Sequence, residues 1–298
     1  MPRSPVPPRQ PAEPILRKAD LLRRRLDTEL VRRGLVSSRD RAQAEISAGR
    51  VLVRGVPATK AARMVDADDP VALRGPGPRF VGRGGEKLDA ALDHFAIAVA
   101  DRRALDAGAS TGGFTDCLLQ RGAAHVVAVD VGRGQLHSRL RADPRVTVRE
   151  RTNVRNLTLG ALRPHLGADA ALFELVVADL AFISLRTVAG PLLGLAARGA
   201  DLVLLVKPQF EAGRADADRA RGVITEPSVW AGALAGVLDT YAGRGSAIMG
   251  AMVSPLLGAE GNVEFLAHLV AGRPGGVVDV DALVAAVVED ALARRAEP

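Results

Sequence analysis

The stretch Leu105-Asp106-Ala107-Gly108-Ala109-Ser110-Thr111-Gly112-Gly113-Phe114 narrows what this chain can fold into more than any other. An apolar lead-in, then Gly108-x-x-x-Gly112-Gly113, then helical periodicity put a glycine-rich turn at the C-terminal end of a strand. There the backbone can approach a ligand closely, and the helix N-terminus offers free N–H groups. The pattern around it repeats: helix over 87–95, strand 104–106, helix 115–121, strands 125–130, 146–149 and 175–179, helix 185–197, strand 201–207 and helix 228–241. Short apolar strands alternating with helices predict a mostly parallel sheet covered on both faces, an α/β Rossmann-like fold. Residues 246–253 and 262–270 follow without a full helix between them, which predicts an antiparallel hairpin at the sheet edge. The chain closes on a helix over 280–294, with Val280, Leu283, Val284, Val287 and Ala291 on one face.

A different pattern precedes this one. Residues 22–34 read as a helix with Leu22, Leu26, Leu30 and Val31 on one side. Ser37 or Ser38 caps a second helix over 39–48, which Gly49 ends. Short strands at 50–54 and 71–74 follow, with a Gly55-Val56-Pro57 turn between them, and Gly75-Pro76-Gly77-Pro78 forms a hinge. The expected organisation is a disordered leader over 1–14, a small α+β module over 15–74, a linker over 75–83 and the α/β domain over 84–298. Charge divides along the same line: 16 lysines and arginines face 8 acidic residues over 15–83, against 22 and 25 from Gly84 onward. Such a skew suits a module that docks onto a polyanion, although a solvated basic face would give it too. The single cysteine, Cys117, excludes an internal disulfide framework. No stretch reaches the roughly 18–20 apolar residues that span a bilayer, and the Pro-rich start has no apolar core of a secretory signal, so a cytoplasmic location is expected.

Three residues sharpen the glycine-rich turn. Asp130 ends the next strand, where a carboxylate accepts from both hydroxyls of a ribose; Asn153 follows the third strand, placed for an adenine ring; Asp179 ends the fourth at the same edge. A nicotinamide enzyme would share Asp130, but it favours Gly-x-Gly-x-x-Gly to cradle a pyrophosphate. S-adenosylmethionine carries no pyrophosphate, so a methyltransferase is expected. The candidate cofactor residues are Asp106, Gly108, Ala109, Ser110, Thr111, Gly112, Gly113, Phe114, Asp130, Val131, Asn153, Val154, Asp179 and Leu180. No metal is called for.

The acceptor atom follows by exclusion and from lysine usage. Cytosine C5 methylation needs a cysteine nucleophile, and Cys117 falls inside the helix after the turn. Exocyclic amines usually call for an Asp/Asn-Pro-Pro-aromatic loop, whereas this chain has Asp179-Leu180-Ala181-Phe182. Only Lys18, Lys60, Lys87 and Lys207 break the arginine usage. Lys207 ends an apolar strand and Lys87 opens the larger domain, and an ammonium can assist loss of a ribose hydroxyl proton as guanidinium cannot. Asp179 is placed to orient a lysine, and Glu264 to hold the second lysine or the ribose.

Arg24-Arg25-Leu26-Asp27, Leu30-Val31-Arg32-Arg33-Gly34-Leu35, Ser38-Arg39 and Gly49-Arg50-Val51-Leu52-Val53-Arg54-Gly55 resemble an S4 RNA-binding domain. The larger domain resembles the TlyA, or haemolysin-A-type, methyltransferases. The resemblance rests on Phe80-Val81-Gly82-Arg83-Gly84-Gly85-Glu86-Lys87, the glycine-rich turn, Ala123 to Gly132, Glu150-Arg151-Thr152-Asn153, Val176 to Leu185 and Val206-Lys207-Pro208-Gln209-Phe210-Glu211. It implies a class I methyltransferase sheet using S-adenosylmethionine, ribose 2′-O-methylation of cytidine in ribosomal RNA, and a Lys-Asp-Lys-Glu tetrad falling on Lys87, Asp179, Lys207 and Glu264. Arg25 and Arg39 in the first module, and Arg83, Arg155 and Arg214 in the second, are candidate RNA contacts. The partners expected are ribosomal RNA or ribosomal subunits, with no membrane and no obligate protein partner. A non-enzymatic ribosome-assembly factor, a methyltransferase for another RNA or for a base, and a membrane-active cytolysin are the rivals. Two departures stand out: Phe80 replaces the family's interdomain tryptophan, and 163–173 reads as a local insertion.

Overall fold

The computed structural model describes residues 23–36, 39–75, 78–166, 170–212, 223–258, 260–273, 276 and 279–296. The chain divides into two compact units, Met1–Gly77 and Pro78–Pro298. The expected leader, the Ser37/Ser38 cap and the Pro76-Gly77 part of the hinge lie outside the described residues.

The first unit runs β1 (Arg24–Arg25), α1 (Leu26–Arg32), α2 (Arg39–Ser47), β2 (Val51–Val53), β3 (Val56–Pro57), β4 (Met64–Val65) and β5 (Val71–Leu73). Leu26 and Leu30 of α1, Ala42 and Ile46 of α2, and Val51 and Val53 of β2 meet in one core. Helix α1 starts at Leu26 because Arg24 and Arg25 are extended, paired antiparallel with Met64 and Val65. The turn expected at Gly55-Val56-Pro57 sits one residue earlier. Arg54 and Gly55 both have positive φ, 54° and 76°, the signature of a two-residue primed hairpin turn, and Val56 and Pro57 pair with Val53 and Leu52. Four carboxylates, Asp27, Glu29, Glu45 and Asp69, are buried. Each is matched to arginine: Asp27 to Arg25 and Arg39, Glu29 to Arg32 and Arg33, Glu45 to Arg41 and Arg50, Asp69 to Arg54. Part of the basic excess therefore balances internal acid, because a buried carboxylate persists only when paired.

The second unit contributes α3 (Gly84–His94), β6 (Arg103–Ala107), α4 (Gly113–Gln120), β7 (His125–Val129), α5 (Ser138–Arg141), β8 (Val146–Arg149), α6 (Leu159–Leu166), β9 (Phe173–Ala178), α7 (Ala189–Leu195), β10 (Ala196–Val206), α8 (Pro208–Glu211), the helix Pro227–Ala242, β11 (Ala247–Val253), β12 (Phe265–Val270) and the helix Val280–Ala296. Seven strands form one sheet in the order β11-β12-β10-β9-β6-β7-β8. The five from β10 to β8 are parallel, and β12 runs antiparallel to both β10 and β11. The expected hairpin exists, but only β11 is at the edge; β12 is inserted beside β10, buried along its whole length. Strand β10 begins at Ala196, inside the segment expected to be helical, with a register shift before Asp201. The presumed insertion is partly core. It holds the end of α6, which carries Pro164, and it ends in Phe173, a fully buried residue that opens β9.

Residues 79–83, expected as linker, pack within the second unit. Phe80 is 3% exposed, and Val81 N donates to Asp116 Oδ2 of α4 at 2.8 Å. The C-terminal ends of β6, β7, β9 and β10 lie along one edge. Strand order reverses between β6 and β9, the switch point where ligands bind in open α/β sheets.

Candidate active site

Gly108 leaves β6 at φ +92°, and a Cβ there would come 2.3 Å from the Asp179 carbonyl oxygen. Gly112 precedes α4 at φ +99°, where a Cβ would come 2.3 Å from Leu140 Cδ1. The turn between them is fastened to β7: Gly108 N and Ala109 N donate to the Val129 carbonyl at 2.8 and 3.0 Å. Ser110 N donates to Asp130 Oδ2 at 2.8 Å, and Gly132 N to Asp130 Oδ1 at 2.7 Å. Each carboxylate oxygen keeps a second lone-pair site for a ligand hydroxyl.

A cavity of about 400 Å³ opens at this edge, within the size range of small-molecule sites. Its walls include Gly108, Ser110, Asp130, Val131, Asn153, Val154, Asp179, Leu180 and Lys207, all singled out from sequence. Asp106, Ala109, Thr111, Gly112, Gly113 and Phe114 do not line it. Ala109, within the turn, and Phe114, at the start of α4, are buried. Asp106 is fully buried, accepts from Thr115 Oγ1 at 2.6 Å through Oδ2, and has no partner on Oδ1. Burial, with the Asp179 and Asp130 charges adding to it, pushes its carboxyl up to about 7. The fold therefore binds a proton that the unfolded chain, near the ordinary value of about 3.9, releases. Stability from this group falls as pH rises from about 4 to about 7 and is level above that. Thermal unfolding of Asp106→Asn beside the unaltered chain tests this: the difference should move in the variant's favour between about pH 5 and pH 8. A difference independent of pH would remove Asp106 from that account.

Sequence reasoning missed Gly132, Gln135, Ala181, Phe182 and Ile183 on the cavity wall. Phe182 is the most exposed large apolar residue described, at 92%, and its φ is +63°. Its ring lies 5.3 Å from that of Phe210. With nine aromatic residues in 298, an aromatic three positions past Asp179 was the available signal. Gln135 gave none.

The four tetrad candidates form two ion pairs. Lys207 Nζ is 2.5 Å from Asp179 Oδ1, and the pair is partly open, at 14% and 24% exposure. Lys87 pairs with Glu264 across 177 residues of sequence, and both are buried. Lys87 stands in the first turn of α3, and Glu264 immediately precedes β12. The second pair is outside the cavity wall but not remote from the first: a Cβ on Gly84, at the start of α3, would lie 3.5 Å from Asp179 Oδ2.

Arg25 and Arg39 both reach Asp27 Oδ2 at 2.9 Å while keeping about half their side chains exposed. Arg83 donates to the Leu257 carbonyl, Arg155 is exposed beside Asn153, and Arg214 lies outside the described residues. Cys117 is fully buried, and burial pushes its thiol up to about 12, the opposite of what a nucleophile needs. Among the described residues no helix is long and apolar enough to cross a membrane.

A Rossmann-like sheet with an antiparallel strand inserted beside β10, and a glycine turn bonded to Asp130 on the wall of one cavity, is the arrangement of a methyltransferase. The FtsJ-like methyltransferase family matches residues 80–271, and the S4 domain matches residues 24–71. The 16S/23S rRNA (cytidine-2′-O)-methyltransferase TlyA of Mycobacterium tuberculosis is 50% identical over 248 residues, 83% of this chain and 90% of that protein. Hemolysin A of Brachyspira hyodysenteriae is 37% identical over 83% of this chain and 99% of its own. A solved structure assigned as a hemolysin, from Streptococcus thermophilus, superposes with a TM-score of 0.71 at 35% identity, covering 92% of this chain and 99% of that one. The chain belongs to the TlyA family, which joins an S4 domain to an FtsJ-like methyltransferase domain.

Proposed function

We propose that this enzyme transfers the methyl group of S-adenosylmethionine to the 2′-hydroxyl of a cytidine in ribosomal RNA, and so works in the cytoplasm. The observation that carries the proposal is the Lys207–Asp179 pair, which opens onto the same cavity as Gly108 and Asp130. When bound, S-adenosylmethionine supplies an electrophilic methyl group. Asp130 takes the ribose hydroxyls of that cofactor, and Gly108 and Ser110 let the backbone approach it. Lys207 Nζ, on the cavity wall, would receive the acceptor 2′-hydroxyl. Once Lys207 Nζ has passed a proton through Asp179 to solvent, it would accept the hydroxyl proton as the 2′-oxygen took the methyl group. Lys87 and Glu264 hold the start of α3 against Asp179.

RNA is held first by charge and shape, through the half-exposed Arg25 and Arg39 of the S4 unit and through Arg83 and Arg155 of the second. A nucleotide turned out of its stack would bring its 2′-hydroxyl into line with the methyl group. Phe182 offers the displaced base a ring to stack on, which is worth roughly 1–3 kcal/mol. Phe182→Ala is expected to raise the KM for RNA about tenfold and to leave the affinity for S-adenosylmethionine within a few-fold. An unchanged KM for RNA would take Phe182 out of base recognition.

The function is tested by treating ribosomal subunits from a strain lacking this modification with the enzyme and tritiated S-adenosylmethionine. A 2′-O-methyl group blocks alkaline cleavage at its own nucleotide. Label recovered in an alkali-resistant dinucleotide beginning with cytidine is the expected result. Label on a base, in alkali-labile RNA, would overturn the ribose assignment.

A further inference from the structure

We propose that Glu211 is a positioning residue for methyl transfer: its carboxylate ties the loop after β9 to the loop after β10 and so fixes Asp179 against Lys207. The need for such a tie arises from the sheet. Strands β9 and β10 are parallel neighbours, and their pairing ends at Ala178 and Leu204. Beyond that point β10 continues only against β12, as Leu205 and Val206 pair with Leu266 and Phe265. Asp179 and Lys207 are thus the first residues past two strand ends that the ladder no longer holds together.

Glu211 closes that gap. Its side chain is 2% exposed; Oε2 accepts from Ser184 Oγ at 2.5 Å, and Oε1 accepts from Leu185 N at 2.7 Å. Arg186 Nη2 donates to the Glu211 carbonyl at 2.6 Å, and Arg186 Nε lies 3.5 Å from Oε2. On one side the tie reaches Lys207 through a single helical turn, since Phe210 N and Glu211 N both donate to the Lys207 carbonyl. On the other side Leu185 is held again by Tyr241 OH, which donates to its carbonyl at 3.2 Å. Between Asp179 and Ser184 the loop carries Phe182. A buried carboxylate is costly, and burial pushes this one up from its ordinary value. An apolar side chain would avoid that cost but leave the Leu185 N–H without a partner. The carboxylate's use is to bridge.

The assignment rests on the ribose methylation proposed above, and the experiment separates the two. Steady-state methyl transfer to unmodified ribosomal subunits is compared for the full chain, Glu211→Ala, Glu211→Gln and Ser184→Ala. Glutamine retains an oxygen for Leu185 N and an amide that can donate to Ser184 Oγ. Positioning predicts that Glu211→Ala lowers kcat about 30-fold or more with KM for S-adenosylmethionine within about threefold, that Ser184→Ala lowers kcat several-fold, and that Glu211→Gln recovers most of it. A merely structural role would instead lower thermal stability and raise both KM values without that split. If Glu211→Ala does not fold, Ser184→Ala decides, and an unchanged kcat there overturns the assignment. Transfer by the unaltered chain with unchanged kcat in the variants overturns the role of Glu211 alone; no transfer to RNA by the unaltered chain overturns both proposals.

Discussion

Replacing Lys207 with alanine is expected to cut kcat for methyl transfer by about 10²–10⁴-fold, the usual worth of positioned proton transfer, while S-adenosylmethionine and RNA still bind. The expectation follows from where the side chain stands. Lys207 caps the start of α8 at the end of β10 without a side-chain cap bond, and its ammonium pairs with Asp179. Its partner Asp179 is 24% exposed and can be rehydrated once alone. Arginine at this position would keep the charge and the ion pair but cannot surrender a proton near neutral pH. Lys207→Arg should therefore be as inactive as the alanine variant, and this comparison separates proton transfer from charge. The measurements are tritiated methyl transfer to unmodified ribosomal subunits and calorimetric titration with S-adenosylmethionine. Turnover above about a tenth of the unaltered rate in either variant would refute the role. Lys87 makes a poorer test, because removing it strands the buried Glu264 and mixes loss of chemistry with loss of fold.

What the sequence discloses here divides by physical cause. The apolar runs within β6, β7, β9 and β10 end just before Gly108, Asp130, Asp179 and Lys207, so both the sheet and the edge carrying those four residues could be read directly. Periodicity gave less for β12, since a strand buried on both faces does not say which neighbours it separates. Helix α6 was hidden by Pro164, and the start of β10 by Ala196 and Ala197, which suit a helix equally well. Burial of polar groups is decided by distant chain. Asp106 looks like a ligand because it precedes the glycine turn, yet it lies beneath that turn, held by Thr115. The arginine count overstated the charge offered to RNA for the same reason. Arg33 spends its guanidinium on Glu29 and on the carbonyls of Asp66, Ala67 and Asp69, residues more than 30 positions away. Phe182 stands on the cavity rim with a left-handed φ that bulky residues rarely adopt and that its sequence does not announce.

Gly108→Ala should abolish detectable binding of S-adenosylmethionine and lower the thermal midpoint by several degrees, although the change adds only one methyl group. Two costs add. At φ +92° an alanine is forced out of its allowed backbone region, typically a penalty of about 1–3 kcal/mol. The new Cβ would also stand 2.3 Å from the Asp179 carbonyl oxygen and 2.9 Å from its carbonyl carbon. Neither neighbour is a flexible side-chain tip. Asp179 N donates to the Ala107 carbonyl at 2.9 Å, so pushing Asp179 away strains the ladder between β6 and β9. The displacement lands on both halves of the site: the turn that faces the cofactor and the carboxylate that holds Lys207. Gly134 is the control, because it too has positive φ, at 70°, but nothing lies within 4 Å of its Cβ position. Gly134→Ala should therefore carry the backbone penalty alone and keep most of its cofactor affinity. Equal loss of binding in the two variants would show that backbone strain, and not the contact with Asp179, is what the glycine at 108 avoids.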